Sequence, residues 1–96
     1  MNNHQKKFLR SLLHDRKVTV WIGQKGLTDT VLNEIEQALS HHELIKVKIR
    51  NGDREERESI AINICERTSA FLIQTKGSIA SIYRANPEKP VLTLPN

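Results

Sequence analysis

Between Leu44 and Arg50 apolar and polar residues alternate strictly, with Ile45, Val47 and Ile49 on one side and Lys46, Lys48 and Arg50 on the other. That period of two predicts a half-buried strand with a cationic outer row. Elsewhere the spacing lengthens. Phe8, Leu9, Leu12 and Leu13 fall at i, i+1, i+4 and i+5 and predict a short helix over 4–14, with Asn3 as its cap and Lys6, Lys7 and Arg10 on the far side. Val31, Leu32, Ile35, Ala38 and Leu39 form the stripe of a second helix over 28–41, closed by His41 and His42. A third helix over 53–67 opens on Asp53 with Glu56 three residues on, a capping-box spacing, and buries Ile60, Ala61, Ile64 and Cys65. The mixed-sign run 53–58 reads as its solvated first turn. A β-branched strand is predicted over 18–22, and two more over 70–75 and 78–84, joined by Lys76-Gly77. Beyond Arg84 the tail is rich in turn residues, and Val91, Leu92 and Leu94 either add a final strand or lie on the body.

A helix followed by βαβαββ gives a two-layer α/β fold: a four-stranded mixed sheet with both crossover helices on one face. The first three strands run parallel and end at one edge. That edge collects the loop after the first strand, the turn after the second and the hairpin tip after the third. Lys25, Arg50, Arg54 and Lys76, distant in sequence, are thereby expected on one rim, the carboxyl edge where open α/β sheets bind ligands.

The loop after the first strand is Gly23-Gln24-Lys25-Gly26. By itself this spacing suits any tight turn. It also allows a foreign backbone to approach without a Cβ in the way, and the helix that starts near Thr28 aims its free amides at the same place. Together with the converging cations, the pattern favours a grip on a phosphate backbone.

The chain has 96 residues, enough for one domain spanning 1–96, and fifteen Lys and Arg against eleven Asp and Glu give a net +4. A polyanion suits that charge, but the charge does not choose among RNA, DNA and an anionic membrane. With Cys65 as the single cysteine no intrachain disulfide can form, and with no apolar leader-like run at the amino terminus a cytoplasmic, bacterial protein is expected. His4, His14, His41, His42 and Cys65 do not combine at metal-ligand spacing, and no nucleophile elbow, Walker loop or dinucleotide fingerprint occurs. No catalytic residue, metal or cofactor is therefore assigned. Glu34, Glu36 and Glu43 read as surface charges. Trp21 has the opposite parity to Val20 and Ile22 and leaves the helix-covered face, where it is either covered by the first helix, the favoured reading, or free to stack on a base. Tyr83 is equally open, and Lys46 and Lys48 suit either phosphate contact or plain solvation.

The run Ile22-Gly23-Gln24-Lys25-Gly26-Leu27-Thr28, the helix end Glu36-Gln37-Ala38-Leu39, the run His42-Glu43-Leu44-Ile45-Lys46-Val47-Lys48 and the closing Ile82-Tyr83-Arg84 resemble the CRM domain, named for chloroplast RNA splicing and ribosome maturation. With one such unit, the chain is most similar to the stand-alone bacterial YhbY-type proteins. The resemblance implies a fold akin to the C-terminal domain of a translation initiation factor, association with precursors of the large ribosomal subunit, and an RNA contact through a loop like that of KH domains, which clamps a single-stranded backbone. In one respect the chain departs from the family pattern: Ser78, not a basic residue, follows Gly77, and Lys76 precedes it.

The sequence thus leads to a non-enzymatic RNA-binding protein, a large-subunit assembly factor that contacts precursor ribosomal RNA. Its RNA-binding residues are expected to be Gly23, Gln24, Lys25, Gly26, Thr28, Lys46, Lys48, Arg50, Arg54 and Lys76. A monomer is expected, with no membrane and no small-molecule substrate. The competing reading is a protein-interaction adaptor whose basic sheet face and apolar tail dock on an acidic partner. A small enzyme acting on nucleotides would need a cofactor or metal that the sequence does not place.

Overall fold

The computed structural model describes residues 1–96. Helix α1 spans Asn3–Leu12 and continues as a 3-10 turn over Leu13–Asp15. The remaining elements are β1 (Val18–Ile22), α2 (Asp29–His42), β2 (Leu44–Ile49), α3 (Arg54–Thr68), β3 (Phe71–Lys76) and β4 (Ile79–Tyr83). The order expected from the sequence is the order observed. Local chemistry sets the boundaries. Thr28 caps α2, its hydroxyl accepting from the Val31 amide at 3.2 Å, and Asp53 and Glu56 close the expected reciprocal box at the start of α3. At α1 the cap is Asn2 rather than Asn3, because Gln5 then stands three residues on and completes a capping box.

The strands lie in the order β1-β2-β4-β3, with β1 parallel to β2 and β4 antiparallel to both β2 and β3. Thus β1, β2 and β3 point the same way, and β4 is inserted between β2 and β3. The hairpin between β3 and β4 turns on Gly77-Ser78, not on Lys76-Gly77. Gly77 has φ +59° and Ser78 has no positive φ, the pattern of a type II′ turn with Gly in its first central position. Lys76 is therefore the last residue of β3, and its side chain obeys the alternation of the strand.

One sheet face packs on α2 and α3. Val20, Ile22, Ile45, Val47, Ile49, Ala80 and Ile82 meet Ile35, Leu39, Ala61 and Ile64 there, and most of these side chains are wholly buried, each worth about 1.5–3 kcal/mol. On the other face α1 packs over one end, and Leu9 and Leu13 dock on Leu44, Ile73 and Tyr83. A bulge between Leu72 and Gln74 leaves Ile73 and Gln74 on that same side, where the plain alternation of β3 would have put them on opposite faces. The tail adds no strand. Leu92 and Leu94 lie against the α1 cluster, and the Gln5 side chain donates to the Pro95 carbonyl at 3.1 Å.

Candidate nucleic-acid interface

The loop after β1 is a closed turn. The Gly26 amide donates to the Gly23 carbonyl at 3.0 Å, and the Thr28 amide donates to the Gly26 carbonyl at 3.1 Å, which leads the chain into α2. Gly26 has φ +72°, a backbone that L-residues with a Cβ seldom adopt, so the turn itself requires this glycine. Gly23 differs. It has no positive φ, it is exposed, and a Cβ built there would meet no atom within 4 Å. Gln24 and Lys25 stand exposed at the tip. Asp29, in the first turn of α2, sets its own carboxylate near the positive end of the helix, so attraction for an anion at this loop rests on Lys25 and the loop amides more than on the dipole.

The neighbouring turns close onto the same edge. The Arg50 amide donates to the Ile22 carbonyl at 2.9 Å, tying the exit of β2 to the loop, and the Ile49 amide donates to the Ser78 carbonyl at 2.7 Å, tying it to the hairpin tip. Asn51 Nδ2 lies 4.0 Å from the position of a Cβ on Gly26. Lys25 and Arg50 are exposed on this rim, and neither takes part in a salt bridge. Arg54 is exposed at the start of α3, with Nε 3.4 Å from the Glu58 carboxylate, and it lines a recess of about 300 Å³ with Arg57 between α3 and the hairpin.

One of the expected rim residues, Lys76, sits elsewhere than the sequence placed it. Lys76 leaves the rim for the open sheet face, where it lines a cleft under α1 together with Lys46. Lys7, Arg10 and His14 form the helical wall of that cleft. The sequence puts Lys7 and Arg10 on the far side of the helix with no role and considers His14 only as a metal ligand, although their spacing of i, i+3 and i+7 marks a single stripe. Lys48 lies half-buried beside Trp21, its register partner across β1 and β2. Trp21 is 49% exposed, so the expectation that α1 covers it is overturned: α1 docks over β3 and the start of β2, and β1 is the opposite edge of the sheet. Tyr83 is buried, and burial, with a contribution from the nearby Glu43 charge, raises its phenol above the ordinary value.

Two of the three glutamates read as surface charges also have other roles. Glu36 Oε2 accepts from Arg84 Nη1 at 2.7 Å, and the same guanidinium reaches the Thr68 carbonyl and the Ser40 hydroxyl. Glu43 is 1% exposed. Its Oε2 accepts from the Asn86 amide at 2.6 Å and its Oε1 from the Val91 and Leu92 amides at 2.8 and 2.6 Å. Burial alone would raise this carboxyl, but the three amides more than offset that and hold it below its ordinary 4.5. At φ 62° Glu43 also sits in the left-handed region, a cost of about 1–3 kcal/mol that its three hydrogen bonds offset. No group of three or more His, Cys, Asp or Glu is placed to hold a metal ion, and no helix is long and apolar enough to cross a membrane.

These features define a small open-faced α/β sandwich with a glycine turn and unpaired cations along one sheet edge. Residues 1–84 match the CRS1 / YhbY (CRM) domain, and the chain belongs to that family. It is 44% identical over 91 residues to an RNA-binding protein of Haemophilus influenzae, covering 95% of this chain and 92% of the relative. It is 38% identical over 96 residues to a probable RNA-binding protein of Pseudomonas aeruginosa, covering 100% of this chain and 91% of that one. The solution structure of a Staphylococcus aureus protein, described as an RNA-binding candidate, superimposes with a TM-score of 0.85 at 32% identity and covers 99% of both chains. The fold implied by the family resemblance is thus the fold observed.

Proposed function

We propose that this protein is a single RNA-binding domain that grips the sugar-phosphate backbone at the Gly23–Gly26 turn and serves, in the bacterial cytoplasm, in assembly of the large ribosomal subunit. The observation that carries the grip is Gly23: an exposed glycine, at the mouth of a cationic rim, that neither the turn geometry nor the packing requires. A phosphate lying over the turn would meet the loop amides from Gly23 to Lys25 that the turn leaves unpaired, the Lys25 ammonium and the Arg50 guanidinium, with Gln24, Gly26 and the Thr28 end of the loop flanking it and Arg54 extending the charge toward α3. The names of the relatives and the family membership support RNA as the polyanion. With four aromatic residues in the whole chain, contacts are led by the backbone and carry little sequence information. The protein acts as a monomer and performs no chemistry on the RNA; it occupies an immature segment of ribosomal RNA and delays its contacts.

Binding of wild-type and Lys25→Ala protein to large-subunit precursor RNA across a salt series tests this reading. Loss of one phosphate contact lowers the slope of log K against log salt by about 0.7 to 0.9. An unchanged slope removes Lys25 from the backbone contact. No salt-dependent binding by wild type removes RNA as the partner.

A further inference from the structure

The open sheet face carries a second set of cations that the rim does not use. Strand register aligns Trp21 with Lys48, Lys48 with Ile79 and Ile79 with Lys76, a single row across all four strands. Three inter-strand steps make this row about 14 Å long. It starts at the end of β1 that enters the glycine turn and finishes in the cleft under α1. The cleft holds about 350 Å³, and no carboxylate lines it: Lys7, Arg10 and His14 come from the helix side, and Lys46, Gln74 and Lys76 from the sheet. None of its Lys or Arg side chains takes part in either salt bridge of the molecule. Cations facing one another without a counter-ion repel, so this arrangement costs stability until an anion enters.

We propose that the cleft between α1 and the sheet is a second RNA-backbone site, and that one RNA strand runs from the glycine turn past Trp21 and Lys48 into it. The inference rests on the RNA-binding reading above. Charge complementarity selects a polyanion, and the continuity of the row with the turn selects one long enough to touch both places. Trp21, the one tryptophan, is exposed at the start of the row and can stack on a base. The strand thereby crosses the face opposite α2 and α3, and α1 serves as one wall of the binding cleft as well as a cover for the core.

Lys7 and Arg10 are exposed and Ala is the best helix former, so Lys7→Ala/Arg10→Ala keeps α1 intact. On large-subunit precursor RNA this pair should lower the salt slope by about 1.4, two single-strand contacts at 0.7 each, and weaken binding about 25-fold at 0.1 M relative to a 1 M reference. A control pair, Arg67→Ala/Lys89→Ala, removes the same charge outside the rim and cleft and should leave the slope near that of wild type. In parallel, RNA should shield the Trp21 fluorescence of wild type from acrylamide. A wild-type slope in the cleft variant, with Lys25→Ala losing its own contact, overturns the second site and leaves the grip standing. Equal losses in cleft and control pairs reduce the effect to net charge and also overturn it. Shielding of Trp21 by polyglutamate but not by RNA assigns the face to an acidic protein. Absence of any salt-dependent RNA binding removes the proposed function, and this inference falls with it.

Discussion

The two glycines of the loop after β1 should respond oppositely to the same substitution. At Gly26, with φ +72°, an added Cβ finds room, the nearest atom being Asn51 Nδ2 at 4.0 Å, so the penalty is conformational and not steric. A left-handed L-residue costs about 1–2 kcal/mol. For a domain of this size that lowers Tm by about 4–16 °C. At Gly23 φ is not positive and the space is open to a Cβ. There Gly23→Ala reduces the freedom of the unfolded chain, stabilises the protein by about 0.4–1 kcal/mol and raises Tm by about 2–8 °C. RNA affinity should nevertheless fall at least about tenfold, because the new methyl group holds a phosphate away from the loop amides and a hydrogen bond to a charged group contributes about 1.5–3 kcal/mol. Thermal unfolding and fluorescence anisotropy on one preparation measure both quantities. A Gly23→Ala protein that melts lower than wild type would mean that the turn needs both glycines. One that melts higher and binds RNA undiminished would mean that no backbone approaches Gly23, and the grip would be refuted.

Two further predictions concern groups inside the fold. Because the Glu43 carboxyl is held below 4.5 in the folded state, its contribution is complete above about pH 4.5 and is lost as pH falls through the lower folded value. Glu43→Gln should therefore lower stability by about 2–3 kcal/mol at neutral pH, since one amide N–H would face another, and urea titrations should show the gap to wild type closing in acid; parallel pH profiles would rule the carboxylate out. Burial pushes the Cys65 thiol up to about 11, so iodoacetamide should alkylate the folded protein slowly at pH 7 and faster as pH approaches 11, while rapid reaction at neutral pH would show that α3 opens locally.

Where one residue type in one period had a single physical meaning, the sequence could be read directly. The alternation of β2 and the Asp53–Glu56 box of α3 are seen as expected, and so is the shared edge of the glycine loop, the turn after β2 and the hairpin tip. The insertion of β4 between β2 and β3 was not legible, because hairpin adjacency fixes only one neighbour of β4. Lys76 was misplaced by a turn displaced one residue, which in a strand exchanges the two faces. Trp21 was misjudged because parity gives the face of a side chain but not how far a helix reaches across that face. Glu43 carries no local signal at all: its partners lie more than forty residues away, in a segment without regular structure.

The family match stops at residue 84, whereas the amides that satisfy Glu43 belong to residues 86, 91 and 92. A boundary drawn by similarity and one drawn by hydrogen bonds thus fall in different places. Trimming the chain to the matched region would leave a buried carboxylate facing three missing donors, and it would also uncover the side of the α1 cluster on which Leu92 and Leu94 rest. For this protein the last dozen residues are the lid of a socket whose floor lies in the most recognisable motif of the chain, and any fusion or tag at the carboxyl end has to begin beyond them.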